Sequence, residues 1–212
     1  MEYKTIKKSG FIQEEVKKSR FICRIKRVYT EKEARDFISK IKKEHYKANH
    51  NCSAYIIEED KEIKKASDDG EPSGTAGIPM LKVLENHELT NVCVVVTRYF
   101  GGIKLGASGL IRAYAGSVSH AIKKLGIVKI KEQIGLGLSL TYSQYQNLAT
   151  FLKKENLQEY HSEFTETVKS LIFVDREEQP IVEKHLTEFF KGKILISEQG
   201  IQEVEIDIAV NE

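Results

Sequence analysis

The segment Asn91–Leu125 constrains the fold more than any other part of the sequence. It contains VCVVVT, a continuous apolar run that is typical of a strand buried in a sheet. A glycine-rich stretch follows, and Ala107–Leu125 then carries apolar residues at helical spacing until Gly126 ends the helix. A buried strand joined to a long helix by a short loop predicts a sheet with helices packed against it, which is a mixed α and β fold.

Residues 1–131 contain further strand and helix patterns that fit this layer. Thr30 and Glu33 have the spacing of a capping box, which predicts a helix that runs to about His45. Thr75–His87 is also helical in pattern, with Pro79 in its first turn. Strands are predicted at Lys4–Glu15, Arg20–Val28, Asn51–Glu59, Lys61–Ser67 and Ile127–Ile130.

Residues 132–212 read as a second domain, with the order strand, helix, strand, strand, helix, strand. That order is the ferredoxin-like βαββαβ arrangement. The join falls near Lys131–Gln133, and Ser143 is the predicted cap of the first helix. The elements are Gly135–Tyr142, Ser143–Glu155, Tyr160–Thr167, Val168–Val174, Glu178–Lys191 and an extended stretch through Lys193–Glu198 and Val204–Val210.

The net charge of +2 conceals a strong asymmetry between the two halves. Residues 1–131 contain 26 lysines and arginines against 16 acidic residues, whereas residues 132–212 contain 7 against 15. Two independently solvated surfaces would explain this pattern. A basic domain that meets a polyanion, shielded in part by the acidic domain, would explain it as well.

The composition predicts a cytoplasmic protein. No stretch approaches the roughly 18 apolar residues of a membrane span, and the polar N-terminus lacks the apolar centre of a signal peptide. Three cysteines without a CxxC pair fit a reducing compartment and argue against a zinc site. We expect no membrane association, no metal and no cofactor, and the sequence leaves the oligomeric state open.

The first of two glycine-rich loops, Asp68–Gly77, places three carboxylates within four positions. Like charges this close repel, so a cation, a basic neighbour or a helix N-terminus should offset them. Ser73 and Thr75 are candidate caps of the next helix. The loop is therefore a helix-capping turn, a metal site or a contact for a basic or polar partner. The partner-binding candidates are Asp68, Asp69, Gly70, Glu71, Pro72, Ser73, Gly74 and Thr75.

The second loop, Tyr99–Gly109, joins the buried strand to the long helix. Free backbone N–H groups and the positive end of the helix dipole predict an anion site there. The P-loop lysine is absent, since Ala107 and Ser108 follow GGIKLG, and this disfavours nucleotide hydrolysis. Glycines needed only for tight packing are the alternative. The candidates for binding an anion or nucleic acid are Arg98, Gly101, Gly102, Lys104, Gly106, Ser108 and Arg112.

His50 and Cys52 lie on one face of a predicted strand, and a Cys–His pair suggests nucleophilic chemistry. Ala54 and Ile56 continue that face, so Cys52 is better interpreted as a core residue. The other histidines lack metal-ligand spacing. The weak catalytic candidates are His50, Asp68, Asp69 and Glu71, and we predict that the protein is not an enzyme.

Several long motifs in residues 1–131 resemble the YigZ/IMPACT family. They are SRFIC, HNCSAY, DDGEPSGTAGIP and VVVTRYFGGIKLGASGLIRAY. The resemblance implies an α+β protein whose first domain has the fold of the second domain of the fifth small-subunit ribosomal protein. Residues 132–212 are similar to the second domain of bacterial members, which resembles the ferredoxin-like modules of elongation factor G.

The resemblance also links the chain to translation. Eukaryotic IMPACT proteins bind the activator of a stress-responsive initiation-factor kinase, with the help of an additional N-terminal domain. The family motifs here begin close to Met1, so we expect no such domain and no kinase-regulating role. The family most often reads GAGG where this chain has GASG at Gly106–Gly109, and the Ser108 hydroxyl favours a hydrogen-bonding site.

Three functional hypotheses follow from the sequence. The leading one is a non-enzymatic, translation-linked regulatory or binding protein that contacts RNA, the ribosome or a ribosome-associated factor. The first alternative is a small hydrolase or transferase that uses the acidic and glycine-rich loops. The second is a protein-interaction module with the acidic domain as its docking surface.

Overall fold

The computed structural model describes residues 2–58 and 62–209, and the chain divides into two compact units. The first unit comprises Tyr3–Lys129 and the end of the chain from Ile206. The second comprises Ile130–Glu205 with the N-terminal residues up to Glu2. No helix in the described part of the chain combines the length and the apolar character that a membrane crossing requires.

The first unit is built on an antiparallel sheet with the strand order β2-β3-β6-β4-β5. Strand β6 is the central strand, and every residue of it except the last is buried. The elements of this part of the chain are β1 (Glu2–Ile6), β2 (Gly10–Val16), β3 (Ser19–Arg27), α1 (Glu31–Glu44), β4 (His50–Glu58), β5 (Glu62–Ser67), α2 (Gly77–Asn86), β6 (Val92–Tyr99) and α3 (Gly106–Leu125).

Helices cover both faces of this sheet because alternate residues of a strand point to opposite faces. Cys52, Ala54 and Ile56 of β4 join the core formed with α2 and α3. Tyr55 and Ile57 of the same strand join a smaller cluster formed with α1. The sheet therefore forms the middle of three layers, and its central strand reads as a continuous apolar run, as predicted.

The second unit has the predicted order of strands and helices. Strand β9 lies between β7 and β8, and β10 also pairs with β7. Helices α4 and α5 contribute Leu148, Phe151 and Leu186 to a core with the sheet. The elements are β7 (Ile127–Leu140), α4 (Tyr142–Lys154), β8 (Glu159–Phe164), β9 (Val168–Val174), α5 (Gln179–Phe189) and β10 (Leu195–Ile208).

Strand β7 corrects one prediction from the sequence. We predicted separate strands at Ile127–Ile130 and Gly135–Tyr142 with a join at Lys131–Gln133, but β7 runs through all of them. Lys131 and Gln133 lie within this strand, and Asp175 accepts hydrogen bonds from both side chains, at 2.9 Å for Gln133. The terminal stretch predicted as two extended pieces is likewise one strand, β10.

The predicted first strand, Lys4–Glu15, is instead two strands. β1 ends at Ile6 and β2 begins at Gly10, where it pairs with β3 as the predicted hairpin. The predicted strand ends at Glu59 and Lys61 lie outside the described residues.

Two helix caps also differ in detail from the predictions. The Thr30 hydroxyl accepts a hydrogen bond from the N–H of Glu33, as predicted, but the Glu33 carboxylate accepts one from Tyr29 rather than from Thr30. Helix α4 has a complete capping box made by Thr141 and Gln144, and Thr141 lies two residues before the predicted cap Ser143. Serine and threonine are both favoured at the N-cap, so only the backbone geometry separates the two positions.

Candidate functional site

The two glycine-rich loops meet at one end of the first unit's sheet. The antiparallel register places His50, at the start of β4, opposite Arg98, near the end of β6. It also places Ser67, the last residue of β5, opposite Ser53. Because these strand termini lie at the same end of the sheet, the loops that follow β5 and β6 are brought together. They enclose a cleft of about 450 Å³ lined by His50, Glu71, Pro72, Arg98, Phe100 and Lys104 and by the start of α3.

A buried ion pair joins the loops at the base of this cleft. The Arg98 Nη1 donates to Glu71 Oε1 at 2.7 Å, and the side chains are only 6% and 3% exposed. The Tyr114 hydroxyl, from α3, donates to the same oxygen at 2.7 Å. Burial raises the pKa of Tyr114 far above its ordinary range, so this hydroxyl remains a donor. A buried charge requires such pairing, because an isolated one would be strongly destabilising.

The Arg98 guanidinium is held from several sides. Its Nη2 lies 3.4 Å from the Ser19 hydroxyl, and the group lies 5.5 Å and 5.6 Å from the ring centres of Phe21 and Phe100. Its Nε is buried without a hydrogen-bond partner in the described part of the chain. Arg98 is thus fixed in place while keeping one donor unused.

Asp68 stabilises the start of α2 by accepting hydrogen bonds from backbone N–H groups. Its Oδ2 accepts a hydrogen bond from the N–H of Gly74 at 2.8 Å. Its Oδ1 accepts from Ala76 at 3.1 Å and Gly77 at 2.8 Å. Burial alone would raise the pKa of Asp68, but these three N–H groups outweigh it and hold that pKa below its ordinary value.

The predicted caps of α2, Ser73 and Thr75, were wrong, because neither occupies the N-cap position. The N-cap position is Ala76, and its side chain makes no capping hydrogen bond. The Thr75 hydroxyl donates instead to the carbonyl of Pro72 at 2.7 Å, and no bond from Ser73 to the helix is present. Asp68 performs the capping from outside the helix because the loop turns back on itself.

Asp69 is engaged with two other parts of the first unit. Its Oδ1 accepts from Lys42 Nζ at 2.6 Å, and its Oδ2 accepts from the N–H of Asn51 at 2.6 Å. Its carbonyl oxygen lies 3.0 Å from His50 Nδ1. Because a carbonyl oxygen only accepts, Nδ1 carries the proton, and in the neutral ring the lone pair is on Nε2, which is 3.8 Å from Glu71 Oε1.

Each of the three carboxylates therefore has its own partner. A helix N-terminus stabilises Asp68, Lys42 stabilises Asp69 and Arg98 stabilises Glu71. Across residues 2–58 and 62–209, no three histidine, cysteine or acidic side chains are arranged to hold a metal ion. The sequence analysis predicted that a cation, a basic neighbour or a helix N-terminus would offset the repulsion between these carboxylates. A helix N-terminus does so for Asp68, and basic neighbours do so for Asp69 and Glu71.

Gly101 is required for the approach of two backbone segments. A Cβ at this position would lie 1.8 Å from the carbonyl oxygen of Lys18, so the loop could not pack here with any larger residue. The N–H of Gly101 lies 3.3 Å from the Ser19 hydroxyl. Gly102 and Gly106 face open space but have positive φ angles of 86° and 71°. Both values favour glycine.

Helix α3 begins at the cleft without a side-chain cap. Leu105 occupies the N-cap position, makes no side-chain hydrogen bond, and no acidic residue lies in the first turn. The backbone N–H groups of this turn are among those that a helix cannot satisfy internally. An uncapped helix start in an open cleft can accept an anion.

The predicted anion-binding residues are only partly brought together. Arg98, Lys104 and Gly106 line the cleft, whereas Ser108 and Arg112 are exposed beyond its lining, and Gly101 and Gly102 shape the loop. Cys52 is fully buried, its Sγ lies 3.0 Å from the Asp68 carbonyl, and burial raises the pKa of its thiol to about 12.

Sequence reasoning missed three residues that organise the site. Tyr114 fits the apolar face of its helix, so its hydroxyl contact with Glu71 had no local signal. Lys42 was missed because it lies 27 positions from Asp69, the predicted residue with which it pairs, and only the fold brings the two together. Ser19 could have been found, since it lies in the motif SRFIC that accompanies both loops.

Comparison with known proteins identifies the family to which these motifs belong. The Impact N-terminal domain model matches residues 17–122. IMPACT family member YvyE of Bacillus subtilis is 47% identical over 198 residues, which cover 92% of this chain and 90% of that protein. This chain belongs to the IMPACT family. An IMPACT family member of Haemophilus influenzae is 34% identical over 92% of this chain and 96% of that protein.

A solved structure resembles the IMPACT family chain over most of its length. It is the crystal structure of a hypothetical protein, which aligns with 92% of this chain and 96% of that chain. The TM-score is 0.58 and the sequence identity is 29%.

Gly101→Ala tests the close approach of the loop and the β2–β3 turn. The added methyl group has to displace backbone, so we expect the free energy of unfolding to fall by about 1–3 kcal/mol. Urea unfolding followed by circular dichroism measures this. Gly116→Ala is the matched control, because its Cβ meets nothing within 4 Å in the middle of α3. That control should gain about 0.5–1 kcal/mol.

Asp68→Asn tests the cap of α2. The amide loses the charge that three N–H groups recognise, so we expect stability to fall by about 1–3 kcal/mol near neutral pH. Asp36→Asn, which breaks an exposed pair with Lys32, should cost no more than about 0.5 kcal/mol.

The effect of Asp68→Asn should also depend on pH. The folded-state pKa of Asp68 is below its ordinary value of 3.8, so the carboxylate stabilises the fold above that value. This stabilisation disappears as the pH falls through the folded-state pKa. The difference between wild type and variant should therefore be constant from neutral pH down to about 5 and shrink below 4. A difference that grew toward acid would contradict the assignment.

Proposed function

We propose that this IMPACT family member is a non-enzymatic, translation-linked binding protein that holds a phosphate group of RNA in the cleft of its first unit. The observation that carries the proposal is the uncapped start of α3 in a cleft that also presents Arg98 and Lys104. RNA free in solution and RNA within the ribosome offer the same phosphate chemistry. A cytoplasmic location, where ribosomes are found, belongs to the proposal.

The charges around the cleft favour an anion. Glu71 neutralises Arg98, so the net positive charge comes from Lys104 and from the α3 dipole. Arg98, fixed at the base of the cleft, therefore adds no unbalanced charge. Asp68 and Asp69 are engaged with backbone N–H groups and Lys42, so their charges are offset before a ligand arrives.

The surroundings of the cleft support a polyanionic partner. Residues 1–131 carry ten more basic than acidic residues. Such an excess attracts nucleic acid at long range. This attraction is independent of sequence and weakens steeply with salt. The cleft belongs to the part of the chain that carries this excess, and a net charge of this size fits an extended polyanion better than a small metabolite.

The link to translation rests on the family and on the fold that the family implies. We assign the first unit the fold of the second domain of the fifth small-subunit ribosomal protein. We assign the second unit the ferredoxin-like fold that resembles modules of elongation factor G. The pairing of β7 with both β9 and β10, the pairing of β9 with β8, and the order of the helices support the second assignment. Fold likeness is an analogy and carries no residue roles.

Binding to RNA gives the direct test. The probes are a fluorescent RNA hairpin with a single-stranded loop and purified bacterial ribosomes, each at low and moderate salt. We expect saturable binding that weakens as salt rises. Absence of binding to both probes at low salt would overturn the proposal, and binding to ribosomes alone would point to a ribosome-associated protein.

Lys104→Glu tests the cleft itself. Replacing the cleft's lysine by a carboxylate should weaken RNA affinity by about tenfold or more and reduce the salt slope by about 1 for the lost cationic contact. Lys82→Glu is the matched control, because Lys82 is an exposed lysine of α2 outside the cleft lining. Equal losses in the two variants would show that only the overall charge matters.

One observation favours an enzymatic alternative, a small hydrolase or transferase. The proton on His50 Nδ1 is held by the Asp69 carbonyl, so the lone pair of Nε2 is available at the cleft. That arrangement is typical of a general base. Glu71 is a poor second catalytic group, because one of its oxygens already accepts from Arg98 and Tyr114.

A screen against phosphate esters and acyl esters tests this alternative. Any activity found should fall at least 100-fold in His50→Ala, the usual scale of general-base catalysis. His161→Ala, an exposed histidine of the second unit, is the control. Activity that survives in His50→Ala would exclude His50 as the base.

A further inference from the structure

The turn between β2 and β3 has an unusual composition for its geometry. Val16 pairs with Ser19, so the turn consists of Lys17 and Lys18 alone. Both residues have positive φ angles, 47° and 64°. Two-residue turns of this kind strongly favour Asn-Gly, because a side chain at positive φ is strained. The two lysines of this turn therefore carry a conformational cost.

The strained turn lies directly against the loop that forms the cleft. The carbonyl of Lys18 contacts Gly101 so closely that no Cβ fits between them. The next residue, Ser19, accepts from the N–H of Gly101 and lies at 3.4 Å from Arg98 Nη2. The backbone of the turn is thus fixed relative to Arg98 and lies against the loop that leads to Lys104.

The surface around this turn is basic and aromatic. Lys17, Lys18 and Arg20 are exposed, and Arg20 lies over the Tyr99 ring at 4.3 Å. Neither Lys17 nor Lys18 has an ion pair with any described residue, so their charges are not offset locally. Phe100, which directly precedes Gly101 in the second glycine-rich loop, is 45% exposed. We refer to Lys17, Lys18, Arg20 and Phe100 as the hairpin surface.

We propose that the hairpin surface binds a single-stranded segment of the RNA whose phosphate occupies the cleft. Lys17 and Lys18 contact phosphates next to the one at α3, and a base stacks on Phe100. This inference rests on the proposed function and adds where the strand continues beyond the cleft. Basic side chains that alternate with exposed aromatic rings are the usual means of holding single-stranded nucleic acid.

The conformational cost of the turn supports a binding role over a structural one. A turn needed only to connect β2 and β3 would be more stable with Asn-Gly. Strain that persists at an exposed position beside a cleft points to a function of the side chains. The fold itself uses only the backbone of the turn, through the Lys18 carbonyl and Gly101.

The double variant Lys17→Asn with Lys18→Gly separates the two roles. It relieves the strain, so the thermal midpoint should rise or stay unchanged. It removes two cations, so affinity for the RNA hairpin should fall about tenfold and the salt slope should fall by about 2. Fluorescence anisotropy at several salt concentrations measures the RNA affinity and its salt slope on the full chain.

Two further variants serve as controls. Lys8→Gln with Lys82→Gln removes the same charge from exposed positions away from the cleft and should change affinity by less than about threefold. Lys17→Arg with Lys18→Arg keeps the charge and should retain wild-type affinity. Phe100→Ala should weaken binding of the RNA hairpin about tenfold but leave a fully paired duplex unaffected, since only an unpaired base can stack.

The outcomes distinguish this inference from the proposed function. If wild type fails to bind RNA, the proposed function fails. If wild type binds and Lys104→Glu weakens binding, but Lys17→Asn with Lys18→Gly binds as wild type, the hairpin surface is not an RNA contact and this inference is overturned. A loss equal to that of the Lys8 and Lys82 control would overturn it as well.

Discussion

The ion pair between Glu71 and Arg98 is the interaction on which the arrangement of the cleft depends. It places a carboxylate from the loop after β5 against a guanidinium from β6, and Tyr114 of α3 donates to the same oxygen. Both charged side chains are buried, so neither could remain without the other. One hydrogen-bonded group therefore holds together two loops and a helix that are distant in sequence.

Neutralising these charges inside the protein also defines what the cleft can recognise. Once Glu71 and Arg98 cancel, and Asp68 and Asp69 are bound by backbone N–H groups and Lys42, the remaining field comes from Lys104 and the start of α3. The three carboxylates of the acidic motif are thus engaged in contacts that hold the loop and the start of α2 in place. In the proposed function, the neighbouring glycine-rich loop provides the groups that bind the anion.

The features that sequence predicted best are those that local pattern determines. The apolar run of β6 and the periodicity of α3 each follow from consecutive residues. The capping of α2 could not be found this way, because Asp68 reaches N–H groups six to nine positions later through the turns of its loop. Tyr114 was missed for a related reason, because its ring fits the apolar face of α3 and only its hydroxyl contacts Glu71. Local rules identify elements, whereas the contacts between loops depend on the assembled sheet.

The continuity of β7 has a consequence for how chains of this kind can vary in length. In most two-part proteins the connection is a loop, and loops accept inserted or deleted residues readily. Here residues 131–133 lie within a strand whose side chains alternate between two faces. One inserted residue would turn the remainder of the strand over and exchange its buried and exposed positions. The number of residues within β7 is therefore constrained by the alternation of its two faces, and changes in length are better tolerated in the loops.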